Sequence, residues 1–353
     1  MTLKLAREVT AERFTRLDRA LLNHTDRGYL VISAMPPEDR QTHASHMGRL
    51  KTLQSLGLAQ EMQTGVWHIA ADLEPKLRSL GQRGDIIKTM HKVMREAAID
   101  RPGVSFSKFD TAKPGNRIVG RVAGIGLTDE INDRHYLVVD GMDGKVHYAD
   151  VGHLRPELVP DKGMIVVIEN SAADQDDKLR TRLRILSYLK LEKLIEAEGA
   201  TWLDKELLTR APEQVSPAGF GDNITTALNR RRQWLVAQGI ATLDDAGHFR
   251  PFPRMLDQLR QRDMQTAVQS LSRELGLSYA ALMEGERISG SFTRVVERPS
   301  GKFAVIQKSQ EFTLVPWRQE MERFRGKQLS GNTTSQGIDW DWGAKRGQAL
   351  GIS

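Results

Sequence analysis

Two histidines stand three apart in His43-Ala44-Ser45-His46, a spacing that places both imidazoles on one helix face, where they could share a metal; no third ligand is identifiable. A solvated or DNA-facing pair is the simpler reading. A second group lies in Asp133-Arg134-His135-Tyr136 and His147-Tyr148. If these are the arms of a hairpin, Arg134, His135, Tyr136, His147 and Tyr148 form a possible site in which imidazole and phenol meet, as acid/base chemistry needs. Asp140, Asp143 and Asp150 read as turn residues first. The glycines of Gly120-Arg121-Val122-Ala123-Gly124-Ile125-Gly126 have neither the spacing nor the following helix of a phosphate loop. With no cysteine in 353 residues, disulfides, thiolate zinc sites and cysteine nucleophiles are excluded together. No catalytic residue, metal or cofactor is assigned, although an enzyme built on His135 and His147 stays open as an alternative.

The other chemistry is cationic. Asn229-Arg230-Arg231-Arg232-Gln233 lies inside a segment with helical spacing, where guanidinium groups could meet guanine edges or phosphates and the amides could meet adenine. A related upstream helix offers His46, Arg49 and Lys51, a thinner charge, so the downstream helix is the stronger candidate for DNA. Lys and Arg number 51 against 45 Asp and Glu, a net charge of +6. That excess favours nucleic acid only if the charge is clustered.

The elements that must carry these residues occur twice. Ser55-Leu56-Gly57-Leu58-Ala59, Val66-Trp67-His68 and Asp72-Leu73-Glu74-Pro75-Lys76-Leu77 recur as Ala237-Gln238-Gly239-Ile240-Ala241, His248-Phe249-Arg250 and Arg254-Met255-Leu256-Asp257-Gln258-Leu259. Gly115-Asn116-Arg117-Ile118-Val119-Gly120 recurs as Gly285-Glu286-Arg287-Ile288-Ser289-Gly290, in the same order and at nearly the same spacing. Helical spacing over Thr10–Asn23 and Arg40–Leu56, then a hairpin around Thr64-Gly65, is the order of a winged helix. The second copy has Asn223–Gln238 and a turn at Asp245-Ala246-Gly247. Trp67 and Phe249, at matching hairpin positions, read as core residues before base-stacking platforms.

Between the helical copies, short apolar runs alternate with Gly/Asp turns such as Asp143-Gly144. They predict a small antiparallel β-barrel, with a second one from Arg287 to Trp317. Tyr136, Tyr148 and Phe292 are its candidates for stacking on unpaired bases. Residues 172–178 read as an exposed loop, Arg210–Gly221 as a linker, and Trp340 and Trp342 as parts of a strand. The fold class is thus α+β, a duplicated winged-helix-like domain plus small antiparallel β-barrel. The predicted domains are 1–100, winged-helix-like; 101–190, barrel; 191–283, linker helices and the second winged helix; and 284–353, the second barrel and tail. No apolar run approaches the roughly 20 residues that span a bilayer, and the N-terminus lacks a signal-peptide core. These features predict a chain that stays in the cytoplasm without membrane insertion.

Several blocks carry a resemblance. Glu12-Arg13-Phe14-Thr15-Arg16-Leu17-Asp18-Arg19-Ala20-Leu21, Gly84-Asp85-Ile86-Ile87-Lys88-Thr89-Met90-His91, Asp133-Arg134-His135-Tyr136-Leu137-Val138-Val139-Asp140-Gly141 and Leu314-Val315-Pro316-Trp317-Arg318 resemble, in order, the C-terminal half of a family of conjugative relaxases. These are the mobilisation nucleases of bacterial plasmids and integrative elements. The resemblance runs from about Leu5 to the end. It implies a nicking tyrosine and a histidine-held metal in an N-terminal nuclease domain that would precede Met1, so the chain would be a fragment or a split gene product, and no catalytic residue carries over. It also implies an accessory region that holds origin-of-transfer DNA, duplex or single-stranded, beside the relaxase nuclease domain, or docks the relaxase on the transfer machinery. A protein-interaction scaffold that recognises the type IV secretion coupling protein, with little DNA contact, is the alternative from another class.

Overall fold

The computed structural model describes residues 7–35, 39–99, 101, 103–129, 131–172, 179–209, 214–335 and 337–342. The chain forms two compact units, Met1–Lys92 and Val93–Ser353.

In the first unit residues 7–9 are helical; α1 (Arg16–Asn23) and β1 (Tyr29–Val31) follow, then α2 (Arg40–Ser55), β2 (Ala59–Gln63), β3 (Val66–Ile69) and most of α3 (Leu73–Glu96). Helical spacing predicts a first helix from Thr10, yet α1 starts at Arg16. Thr15 is its N-cap and forms a capping box with Asp18, which satisfies the first free amides and fixes the start. Asp39 caps α2 through its side chain alone, accepting from the amides of Gln41 and Thr42 at 2.8 and 2.7 Å. After α2, Gly57 takes a φ of 69°, the left-handed conformation in which glycine stops a helix at little cost. The hairpin then pairs β3 with β2 and with β1, in the order β1-β3-β2. Leu21, Leu30, Leu50, Leu53 and Trp67 from these elements make one core, each at most 1% exposed. Trp67 is therefore a core residue.

The second unit opens with a six-stranded sheet. Its strands are β4 (Ser105–Lys108), β5 (Arg117–Asp129), β6 (Arg134–Gly141), β7 (Lys145–His153), β8 (Ile165–Ala172) and β9 (Leu179–Ser187), in the order β4-β7-β6-β5-β8-β9. The helices α4 (Leu191–Ile195), α5 (Trp202–Leu208) and α6 (Phe220–Ala237) follow, then the hairpin β10 (Ala241–Leu243) and β11 (Phe249–Pro251), then α7 (Met255–Leu275). The last sheet contains β12 (Ser278–Tyr279), β13 (Arg287–Arg298), β14 (Gly301–Gln307), β15 (Glu311–Pro316), β16 (Gln328–Thr334) and β17 (Gly337–Trp340). Its order, β12-β15-β14-β13-β16-β17, repeats that of the first sheet strand for strand.

Both sheets are mixed, whereas alternation along the chain predicts antiparallel pairing throughout. β4 runs parallel to β7, and β12 runs parallel to β15. The connection between the parallel partners runs through β5 and β6 in the first sheet and through β13 and β14 in the second, and each edge strand is too short to leave a periodic signal. In the first sheet, Val122, Leu137, Val139, Ala149 and Val166 form a buried face. Phe220 and Ile224 of α6 pack on Val119, Ile165 and Val167 of the same sheet. Ala267 and Leu271 of α7 pack on Val305, Phe312 and Leu314 of the second sheet. Phe292 is fully buried in that sheet's core, so its ring is not offered to a base.

The predicted loop at 172–178 starts later than expected, since Ala172 still belongs to β8; residues 173–178 lie outside the described residues. The predicted linker ends earlier, because Phe220 and Gly221 already begin α6, and residues 210–213 lie outside the described residues. Trp340 closes β17 and is buried against the second sheet. Among the described residues no helix is long and apolar enough to cross a membrane.

Candidate nucleic-acid interface

The arginine run of α6 is split by helix geometry. Successive residues of an α-helix turn by about 100°, so three consecutive arginines cannot share one face. Arg231 points inward and is fully buried, whereas Asn229, Arg230, Arg232 and Gln233 are exposed. Arg230 reaches Glu196 at 3.5 Å, with both side chains more than half exposed, a separation worth little in water. Arg232 donates to Asn229 Oδ1 at 3.0 Å, and among the described residues no carboxylate pairs with it. The neighbouring hairpin adds less positive charge than its residues suggest. Asp244 accepts from the His248 amide at 2.8 Å and pairs with Arg250 at 2.8 Å. These bonds, that of the His248 amide first, hold its carboxyl below the ordinary value.

Arg231 has a different task. Its Nε and Nη2 donate to the two oxygens of Asp204 at 2.8 and 2.9 Å. The remaining donors go to the carbonyls of Ile195, Ala197 and Gly199 at 3.2, 2.6 and 3.0 Å. The guanidinium is thus consumed by a carboxylate and three backbone carbonyls, and the expectation that it faces DNA is corrected. Arg49 repeats the arrangement in the first unit. It forks onto Asp18 at 2.7 and 2.9 Å and donates to the carbonyls of Val9, Ala11 and Arg13 at 3.1, 2.5 and 3.0 Å. Each aspartate also closes a capping box, with Thr15 and Thr201 respectively. A planar fork with five donors suits this bidentate arrangement, and a lysine could not replace it.

The other residues expected on α2 divide likewise. His46 is buried at 4% exposure, and Lys51 is exposed. Where α6 has Asn229, Arg230 and Arg232, the matching places of α2 carry Met47, Gly48 and Leu50, and Leu50 is in the core. The exposed cationic turn therefore belongs to the second copy alone.

The hairpin β6–β7 does not bring imidazole and phenol together. Val139 faces His147 in the register while His135 faces Gly152, so the two histidines are four residues apart along the strand, roughly 13 Å. His147 Nε2 instead lies 3.0 Å from both oxygens of Asp143 at the turn. Arg134 pairs with Asp150 at 3.1 Å. The hairpin does join two phenols: the rings of Tyr136 and Tyr148 stack with centroids 4.8 Å apart. Gly126 makes room for this, since a Cβ there would lie 2.5 Å from the Tyr136 hydroxyl. Burial, and behind it the Glu96 carboxylate, pushes the Tyr136 phenol above its ordinary value. For Tyr148 burial leads, the charges of Tyr136 and Asp150 add to it, and a hydrogen bond with Thr128 opposes them. Tyr148 is buried and Tyr136 half-buried, so the expectation that Tyr148 offers its ring to an unpaired base is corrected. Among the described residues no three His, Asp or Glu side chains gather as a metal site.

A family model described as a protein of unknown function, DUF3363, matches residues 46–181 and again 170–349. No curated protein and no solved structure matches the chain. The two matched stretches, the repeated strand order and the repeated arginine lock together mark an internal duplication.

Proposed function

Given that the chain belongs to the DUF3363 family, we propose that it is the DNA-binding accessory region of a conjugative relaxase, acting in the bacterial cytoplasm without the nuclease centre. In this reading the two helix–helix–hairpin segments are winged helices and the two mixed sheets are small barrels. They hold origin-of-transfer DNA beside the relaxase nuclease domain or dock it on the transfer machinery. The observation that carries the proposal is the exposed turn of α6, where Asn229, Arg230, Arg232 and Gln233 offer two guanidinium forks and two amides to solvent. Forks and amides are the groups that pair with guanine and adenine edges and with phosphates.

The test is binding of duplex and single-stranded DNA over a salt series, with the Arg230→Ala/Arg232→Ala double variant beside the parent chain. Arg231 is left in place because its guanidinium holds the fold. Binding that weakens with salt and weakens further in the variant supports the reading, since each phosphate contact releases counterions. Salt-insensitive behaviour with no loss in the variant would favour the scaffold that recognises the secretion coupling protein.

A further inference from the structure

The first unit contains a cleft of about 920 Å³ lined by Arg7, Arg13, Arg16, Arg19, Arg78 and Phe14. Glu8 is the carboxylate on its wall, and Arg78 is also paired at 2.6 Å with Glu74 outside it. All five arginines are exposed, and the Arg78 guanidinium lies over the Phe14 ring with its carbon 4.9 Å from the centroid. The Arg49 lock builds this wall. By holding the carbonyls of Val9, Ala11 and Arg13 it fixes the stretch between the helical residues 7–9 and α1, so that side chains on either side of Thr15 turn to the same opening.

The duplication supplies a comparison within the molecule. The second copy keeps the lock, but its matching positions are packed. Where the first copy has Arg13, Phe14 and Arg16 around its capping threonine, the second has Gly199, Ala200 and Trp202 around Thr201. Ala200 and Trp202 are both 4% exposed and pack in the cores beneath α6. Gly199 lies against Asp263 of α7, which in turn holds Arg298 at 2.7 Å and the Ser300 amide at 3.0 Å on the second sheet. The second copy thus uses this surface for packing. In the first copy the same frame carries exposed cations around an opening.

We infer that this cleft binds the phosphodiester backbone of an unpaired nucleic-acid strand, with a base lying on the Arg78–Phe14 stack. Planar guanidinium forks bind phosphate oxygens in pairs, five of them around one opening with Glu8 on the wall and Glu74 paired to Arg78 suit an anion with several charges, and a stacked guanidinium–ring surface gives bases a flat partner. The proposal uses no residue of α6. It shares with the reading of that helix the idea that the chain binds nucleic acid, and the two are separable by variant.

The experiment titrates the full chain into a fluorescent single strand of about 12 nucleotides, within the range of ~4–16 that small single-strand sites cover, and into the corresponding duplex, over a salt series. The variants are Arg13→Ala/Arg16→Ala/Arg19→Ala, the length-preserving Arg16→Gln/Arg19→Gln, Phe14→Leu, and Arg230→Ala/Arg232→Ala. Melting curves accompany each one. With parent-like melting, the triple variant is expected to bind the single strand about tenfold more weakly and to flatten the slope of log K against log salt by about two, at roughly 0.7 per phosphate contact. The glutamine pair is expected to move in the same direction, and Phe14→Leu to weaken single-strand binding while sparing the duplex. Loss in the cleft variants alone keeps this proposal and removes the α6 reading; loss in Arg230→Ala/Arg232→Ala alone does the reverse. Parent-like binding by the glutamine pair, or competition by polyglutamate as effective as by the oligonucleotide at equal charge, would overturn the proposal, the latter in favour of an acidic protein partner.

Discussion

Arg231 closes a two-point fork on Asp204, and neither side chain reaches solvent. The pair joins α6 to the cap of α5, and the three carbonyls held by the same guanidinium join it to the end of α4 and the chain that follows. Removing one partner of such a pair strands a buried charge, which costs roughly 3–5 kcal/mol. Arg231→Ala is therefore expected to lower unfolding free energy by about that amount in denaturant titration. Arg230→Ala and Arg232→Ala, one residue to either side, are expected to stay within about 0.5 kcal/mol of the parent chain. Equal losses at all three positions would contradict the inward orientation of Arg231.

Asp140 makes a similar prediction for the first sheet. It is fully buried in β6 and bonds both Arg101 and Arg121, the latter at 3.0 Å, while Arg121 also lies over the Phe220 ring at 5.0 Å. Asp140→Ala would leave two guanidinium groups without their carboxylate and is expected to cost about 3–5 kcal/mol. Asp143→Ala, three residues on at the exposed turn, is expected to cost about 1 kcal/mol or less. Thermal melts of the two variants separate the cases.

The stacked phenols give a pH dependence. Tyr136 and Tyr148 are held above their ordinary value of 10.0 by burial first, and unfolding returns them to it. The folded chain keeps these protons to higher pH than the unfolded chain does. This contribution to stability is intact below pH 10 and is lost as pH rises through the folded values. Spectrophotometric titration of tyrosinate, read beside stability between pH 9 and 12, tests the direction.

Gly126→Ala tests the packing under that stack. Its Cβ would meet Tyr136 Oη at 2.5 Å and Cζ at 2.6 Å, so the ring must move outward. The expected result is a loss of about 1–3 kcal/mol and a Tyr136 phenol that ionises closer to 10, seen as an earlier rise in the same titration. An unchanged titration would place the ring elsewhere.

Much of the frame is legible in the residues. Alternating apolar runs and Gly/Asp turns mark β5 to β8 and β13 to β15, and helical spacing marks α2 and α6, because those patterns follow from one element burying one face. β4 and β12 escape because their pairing is parallel and set by distant strands. The start of α1 escapes because apolar spacing runs on past a cap that Thr15 and Asp18 define. For the candidate interface, residue type misleads: three adjacent arginines read as one cationic patch, yet the middle one is a core residue. The signal that could reveal it is present, since Thr-x-x-Asp recurs as Thr15/Asp18 and Thr201/Asp204 with an arginine later in each copy. Arg13, Arg16 and Arg19 stand at i, i+3 intervals, and their importance emerges only once the second copy shows what the same positions hold when they pack.

Two chemically interchangeable locks in one chain create an opportunity for error, since nothing in the fork itself distinguishes Asp18 from Asp204 for either arginine. The contact beside each lock does. Arg13 rests its Cβ over Gly81, where a Cβ on the glycine would come within 2.7 Å, while Gly199 leaves its space to Asp263, at the same 2.7 Å. Bulk and absence of bulk are exchanged between the copies. A segment docked on the wrong helix would set Arg13 against Asp263, with no room for both, or Gly199 against Gly81, with a void between them, and both outcomes cost free energy. The reversed pair thus disfavours exchange between the two halves of a repeated chain, a route by which similar modules misassemble.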